Sequence, residues 1–195
     1  MIIGITGGIA SGKSVVTNRV KSLGYKVFDC DTISHDIFET EEVQERLKEE
    51  FGIKTDRVLR KDISTIVFSD DSKLKVLNNI MHPYILDELD RIIWNVSEKE
   101  IVFIDVPLLY ELHLNYLFDK IILVYVDEEK QIERLKERDR IPTSFARDKI
   151  KKQIPMVEKK RIAKENKHYI IKNDGGIEDT YKKLDFILKE IKHDI

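Results

Sequence analysis

Apolar residues in this chain fall into two kinds of pattern. Short continuous runs occur at Ile2–Ile3–Ile5, at Ile101–Val106 and at 120–126, with briefer ones at 25–28 and 169–171. Runs this short and this apolar fit strands covered on both faces, as in a parallel sheet flanked by helices. Between them, apolar residues recur at helical spacing. Val15, Val16, Val20 and Leu23 give a helix over 13–22 that Gly24 ends. From 32 to 95 the pattern is helical throughout, through Val43, Leu47 and Phe51, then Leu74, Leu77, Ile80 and Met81, then Ile85, Leu89, Ile92 and Ile93. Gly52 closes one of these helices, and Pro83 is expected to bend or restart another. Asp127 is placed to cap a helix at 128, Ser144 to cap the next, and Pro155 to disrupt the one after. A last helix from about 177 carries Ile177, Tyr181, Leu184, Leu188 and Ile191 on one face.

These elements predict an α/β fold with a five-stranded parallel sheet. An all-helical stretch of about sixty residues is too long for a simple crossover between strands. It reads instead as a substrate-recognition insertion. The stretch 128–165 holds thirteen Lys or Arg and eight Asp or Glu, broken by Pro142, and reads as a hinged surface hairpin. The expected division is therefore 1–31, 96–137 and 153–195 for the core, 32–95 for the helical region and 138–152 for a lid.

Composition narrows the picture only a little. Thirty-four Lys and Arg balance 36 Asp and Glu, a formal net charge of -2, which argues against a general nucleic-acid binder. One cysteine, Cys30, excludes an intramolecular disulfide and fits a reducing, cytoplasmic setting. No run of apolar residues is long enough to cross a membrane, and none resembles a signal peptide. No His, Cys and acidic cluster has zinc-ligand spacing.

The chemistry concentrates in the first turn of the chain. Gly7-x-x-x-x-Gly12-Lys13-Ser14 follows an apolar strand and opens a helix, the context a phosphate-binding loop requires. Backbone groups of Gly8, Ile9, Ala10, Ser11, Gly12, Lys13, Ser14 and Val15 would cradle the phosphates of ATP. Lys13 would reach the β- and γ-phosphates, and the Ser14 hydroxyl would ligate Mg²⁺. No Asn-Lys-x-Asp specifies guanine, since Asn173-Asp174-Gly175 does not match, and the chain is small for a motor ATPase. A small-molecule kinase remains. Asp31, just past the second strand, is the candidate base, expected to lie beside the phosphate loop on a strand next to the first. A plain carboxylate with a pKa near 3.9 is a weak base, but phosphoryl transfer demands little of it. Asp105 ends the third strand, where a carboxylate would organise Mg²⁺ through water or bond to Ser14. Arg134 and Arg138 share a helix face near Arg140, and an arginine on a closing lid would fork onto phosphate oxygens.

Together these segments resemble the dephospho-coenzyme A kinase family, nearly end to end. The resemblance rests on Thr6–Ser14, Asp29-Cys30-Asp31, His82-Pro83, Val106-Pro107-Leu108-Leu109-Tyr110-Glu111, Arg138-Asp139 with Gln153, and Ile171–Gly175. It implies transfer of a phosphoryl group from ATP, with Mg²⁺, to the ribose 3′-hydroxyl of dephospho-coenzyme A in the last step of coenzyme A synthesis. It implies that Lys13, Asp31 and Arg138 are catalytic, and that Asn173 lies near the adenine. Asp31, His35, His82, Pro107, Leu108 and Glu111 would lie on the acceptor side. The implied partner is the small-molecule acceptor, with neither nucleic acid nor membrane, and the chain would act as a monomer or weak homo-oligomer. Ala10 stands where the family usually has a third loop glycine, Val15 replaces a common Thr, His35 a usual Arg and His168 a common Asp. The rival readings are a nucleoside or nucleoside-monophosphate kinase, and an ATP-binding scaffold that uses nucleotide as a switch.

Overall fold

A computed structural model describes residues 1–68 and 70–193, with the side chain of Phe68 also outside the described set. The chain divides into two compact units, Met1–Asp29 with Val96–Ile195, and Cys30–Asn95.

The first unit is built on a five-stranded parallel sheet in the order β2-β3-β1-β4-β5. The strands are β1 (Ile2–Gly7), β2 (Lys26–Asp29), β3 (Val102–Asp105), β4 (Lys120–Tyr125) and β5 (Tyr169–Lys172). All six residues of β1 and all four of β3 are buried, as interior strands require. The expectation that β2 adjoins β1 is corrected, because β3 occupies that place. The reason lies in the residues. β2 begins at exposed Lys26 and is otherwise half-buried, which suits an edge, whereas Val102–Asp105 shows nothing to solvent. Parallel register then sets Asp29 opposite Asp105, and Ile5 opposite Asp105 on the other side.

Helix α1 (Lys13–Ser22) and the final helix α9 (Ile177–His193) cover one face of the sheet. Val16 and Val20 of α1 and Leu184, Ile187, Leu188 and Ile191 of α9 close over Ile3, Ile5, Phe103, Ile122 and Val124. Ile177, expected on the buried face of α9, is 56% exposed, because it sits in the first turn, beyond the sheet's cover. On the opposite face Leu109 and Phe118 press against Gly4, where a Cβ would stand only 3.0 Å from Leu109. Three charged helices complete the unit after β4. They are α6 (Glu128–Asp139), α7 (Thr143–Lys151) and α8 (Met156–Glu165). Pro142, not Ser144, precedes α7, and Pro155 precedes α8 rather than interrupting it. Proline is well placed there, since a helix start needs no N–H from it and its φ is already helical. Asp127 stands at the N-cap of α6 but makes no side-chain cap bond, because its carboxylate instead meets Tyr125 and Lys172.

The second unit is helical, with α2 (Cys30–Phe38), α3 (Glu41–Phe51), α4 (Arg60–Phe68) and α5 (Asp71–Trp94). Phe38, Val43, Leu47, Val58, Ile63, Ile80 and Met81 form its core. Gln44 is buried there with its amide fully used, donating to the carbonyls of Phe38 and Val58 and accepting from Val58 N–H. Asp70 caps α5 by accepting from Ser72 and Lys73. Pro83 does not restart a helix, because α5 runs through it for 24 residues. Neighbours packed on both sides of Pro83, Met81 and Ile85 among them, hold the helix together across the missing backbone bond.

Candidate functional site

The phosphate loop runs from the end of β1 to the start of α1. Gly12 precedes α1 at φ 82, a left-handed backbone that glycine adopts without strain. A Cβ there would also strike the Asn173 amide nitrogen. A Cβ at Gly7 would lie 2.5 Å from Ser11 Oγ, and one at Gly8 the same distance from Met156 Sδ. Ala10, at the expected glycine position, takes φ 58. The loop closes on itself through Ser11 N–H donating to the Gly8 carbonyl at 3.0 Å. Helix α1 has no side-chain cap and no acidic residue in its first turn, so its N-terminal donors are left for a ligand or water as far as its own cap and first turn go. Ser11 Oγ is also buried with no hydrogen-bond partner among the described residues. An anion fits these groups.

Lys13 pairs with Asp105, which is 3% exposed. The other Asp105 oxygen accepts from Thr17 Oγ1 at 2.8 Å. Asp105 thus bonds Lys13 and Thr17 rather than Ser14, because Ser14 is exposed and Thr17 follows Lys13 by one helical turn on the same face. Hydroxyl and carboxylate are hard oxygen donors that suit Mg²⁺, which commonly takes one or two carboxylates plus substrate phosphates.

Around the loop stand two residues that sequence reasoning passed over, Gln131 and Thr180, beside three that it named for other reasons, Arg134, Gln153 and Asn173. Gln131 Nε2 donates to the Ile9 carbonyl at 2.7 Å, and Gln153 Oε1 accepts from the Ile9 N–H at 2.8 Å. Arg134 donates to the carbonyls of Ser11 at 3.3 Å and Asn173 at 2.8 Å. Asn173, 5% exposed, donates from Nδ2 to the Ser11 carbonyl and accepts from Thr180 at Oδ1, both at 2.9 Å. Its side chain is therefore taken up in supporting the loop. Gln131 and Thr180 carry no sequence signal, since each is one polar residue within an amphipathic helix.

Glu111 accepts from Ile154 N–H at 3.1 Å and lies 2.7 Å from Lys159 Nζ. That contact is an ion pair without hydrogen-bond alignment, and Lys159 is fully buried. Burial pulls the Lys159 pKa down while Glu111 partly restores it. Pro107 is half-buried, Leu108 is exposed, and Tyr110 OH meets His168 Nδ1 at 2.9 Å. Burial raises the Tyr110 pKa and lowers that of His168, so both are neutral near pH 7. Arg138 is exposed at the end of α6 and paired with Asp139, whose pKa Arg138 and Lys149 hold down to about 2. In the helical unit, Asp31 lies exposed in the first turn of α2 and His35 exposed further along it. His82 is half-buried in α5, and that burial lowers its pKa.

Residues 1–179 match the family model for dephospho-CoA kinase. A dephospho-CoA kinase of Fusobacterium nucleatum is 40% identical over 189 residues, covering 95% of both chains. The solved structure of a Thermus thermophilus protein is 31% identical with a TM-score of 0.82 over 97% of both chains. That of the dephospho-CoA kinase from Campylobacter jejuni is 26% identical with a TM-score of 0.65, covering 97% of this chain and 96% of that one. With its phosphate loop, parallel sheet and helical unit, this chain belongs to the dephospho-CoA kinase family of P-loop kinases.

Proposed function

We propose that the protein transfers the γ-phosphoryl group of ATP to the ribose 3′-hydroxyl of dephospho-coenzyme A, giving coenzyme A and ADP. The observation that carries this reading is the pairing of Lys13 with Asp105 at the uncapped N-terminus of α1, on a chain with this family's sequence throughout. A lysine held by a carboxylate at the mouth of a phosphate loop is a cation awaiting a stronger anion. ATP phosphates would take Lys13 from Asp105 and accept the N–H groups of the loop and first helical turn.

Ser14 and the released Asp105 carboxylate would hold Mg²⁺, which when bound withdraws charge from the phosphate oxygens. Asp31 would align the acceptor hydroxyl and take its proton as the new P–O bond forms. Its place in the first turn of α2, at an exposed position just past β2, supports this role. His35, His82, Pro107 and Leu108 would contact the acceptor. His82 would do so as a neutral hydrogen-bonding ring, given its burial. Glu111 would serve that side indirectly, through Lys159 and Ile154. Arg138 would swing from Asp139 to the transferring phosphoryl as residues 138–152 close as a lid, and the backbone at Asn173 would border the adenine. We infer a cytoplasmic setting from the small-molecule reaction of this family. Among the described residues no helix is long and apolar enough to cross a membrane.

Purified protein with ATP and Mg²⁺ should release ADP rapidly only when dephospho-coenzyme A is added. Preferential turnover of nucleosides or nucleoside monophosphates would refute the acceptor. ATP binding without acceptor-dependent ADP release would point to a nucleotide switch.

A further inference from the structure

Ile9 is gripped at both of its backbone groups by side chains from outside the phosphate loop. Its carbonyl accepts from Gln131 on α6, and its N–H donates to Gln153 in the turn between α7 and α8. Gln131 is 2% exposed, so its bond is made away from water. Ile9, Ala10 and Ile141 pack against Ile132, Leu135, Ala146 and Ile150, which joins the tip of the loop to the α6–α7 hairpin through an apolar cluster. The turn bearing Gln153 is itself pinned, because Ile154 N–H donates to Glu111, and Glu111 is paired with buried Lys159.

This arrangement matters because the loop's geometry is not self-supporting. Ala10 holds a left-handed backbone that a residue with a Cβ resists. Such conformations persist only where surrounding contacts over-determine them. The neighbours of Ala10 supply those contacts. We propose that Gln153 and Gln131 are positioning residues for phosphoryl transfer, a clamp on Ile9 through which the α6–α7–α8 segment fixes the tip of the phosphate loop. Removing the acceptor at 153 frees the Ile9 N–H, lets Ala10 relax, and misplaces donors that must meet the transferring phosphoryl within a fraction of an ångström. Glu111 acts through the same turn, so its loss propagates to the loop without any contact with ATP.

The inference rests on the kinase reading above for its rate measurement, but its structural readout needs no turnover. Gln153→Met matches the side chain's size and removes the acceptor, whereas Gln153→Glu keeps an acceptor. In nucleotide-free protein, hydrogen exchange at the Ile9 amide should quicken about tenfold or more in Gln153→Met and stay near the parent rate in Gln153→Glu. In steady state, Gln153→Met should lower kcat roughly tenfold at saturating ATP, with KM for dephospho-coenzyme A within about twofold of the parent. Glu111→Gln combined with Gln153→Met should lose less than the product of the single losses, because both act on one turn. Parent-like kcat in folded Gln153→Met overturns the clamp, as does a lowered kcat with unchanged Ile9 exchange, or Ile9 exchange that quickens equally in Gln153→Glu. Should Gln153→Met not fold, Gln131→Met carries the same kcat and KM expectation through the Ile9 carbonyl.

Discussion

At residue scale, the two candidate carboxylates sit in different surroundings. Asp105 is buried at a strand end and held by Lys13 and Thr17, and the proposed function has a phosphate draw Lys13 away from it. Asp31 is exposed on the first turn of α2. Asp31→Asn keeps the size of the side chain and removes its basicity. Its kcat should fall by about a hundredfold or more, within the range of general acid–base catalysis, with ATP affinity little changed. Steady-state rates beside ATP titration and a melting curve decide the matter. A folded variant that binds both substrates and turns over at the parent rate would reduce Asp31 to a helix residue. The phosphate-loop pattern that holds Lys13 and Ser14 was legible because its spacing is local, all within eight consecutive residues. Glu111 was harder to read. Its motif suggested the acceptor, whereas its side chain meets Ile154 and Lys159, more than forty positions away.

At the scale of elements, that pair joins α8 to the segment after β3. Lys159 lies among apolar neighbours on a helix whose other buried residues are Met156 and Ala163. Lys159→Met leaves half-buried Glu111 with one N–H alone and should cost about 3 kcal/mol, the low end for breaking a pair with a buried member. Adding Glu111→Leu removes the stranded charge and should return most of that loss. Urea denaturation of both variants measures it, and a single variant as stable as the parent would show that the pair contributes nothing. Element boundaries were largely readable from periodicity. The exceptions arose where a residue type serves two purposes. Pro142 and Pro155 looked like breakers but lead into helices, and Pro83 looked like a break but lies inside one. Proline fixes φ and removes a donor in every case, and only the neighbours decide which consequence prevails.

At the scale of the molecule, the helical unit Cys30–Asn95 has its own core and follows directly on β2; the proposed function assigns the acceptor to it. Dephospho-coenzyme A should protect amides in 32–95 from hydrogen exchange beyond the effect of ATP alone. Protection confined to the phosphate loop and the segment around Asn173 would make the unit a structural addition. The sequence by itself determined the class of fold, the phosphate loop, the helical insertion and the family, because strand runs, helical spacing and a contiguous motif are all written in near neighbours. Only the tertiary structure decided that β3 rather than β2 lies beside β1. It likewise decided that Asp105 holds Lys13, and that Gln131, Gln153, Arg134 and Asn173 brace the loop. Strand order depends on which run is buried on both sides, and the side-chain contacts to the loop from Gln131, Gln153, Arg134 and Asn173 each reach more than a hundred positions along the chain. Pattern along a chain does not encode such partners. They are chosen when the backbone groups of a closed loop, shut away from water, need partners from elsewhere in the fold.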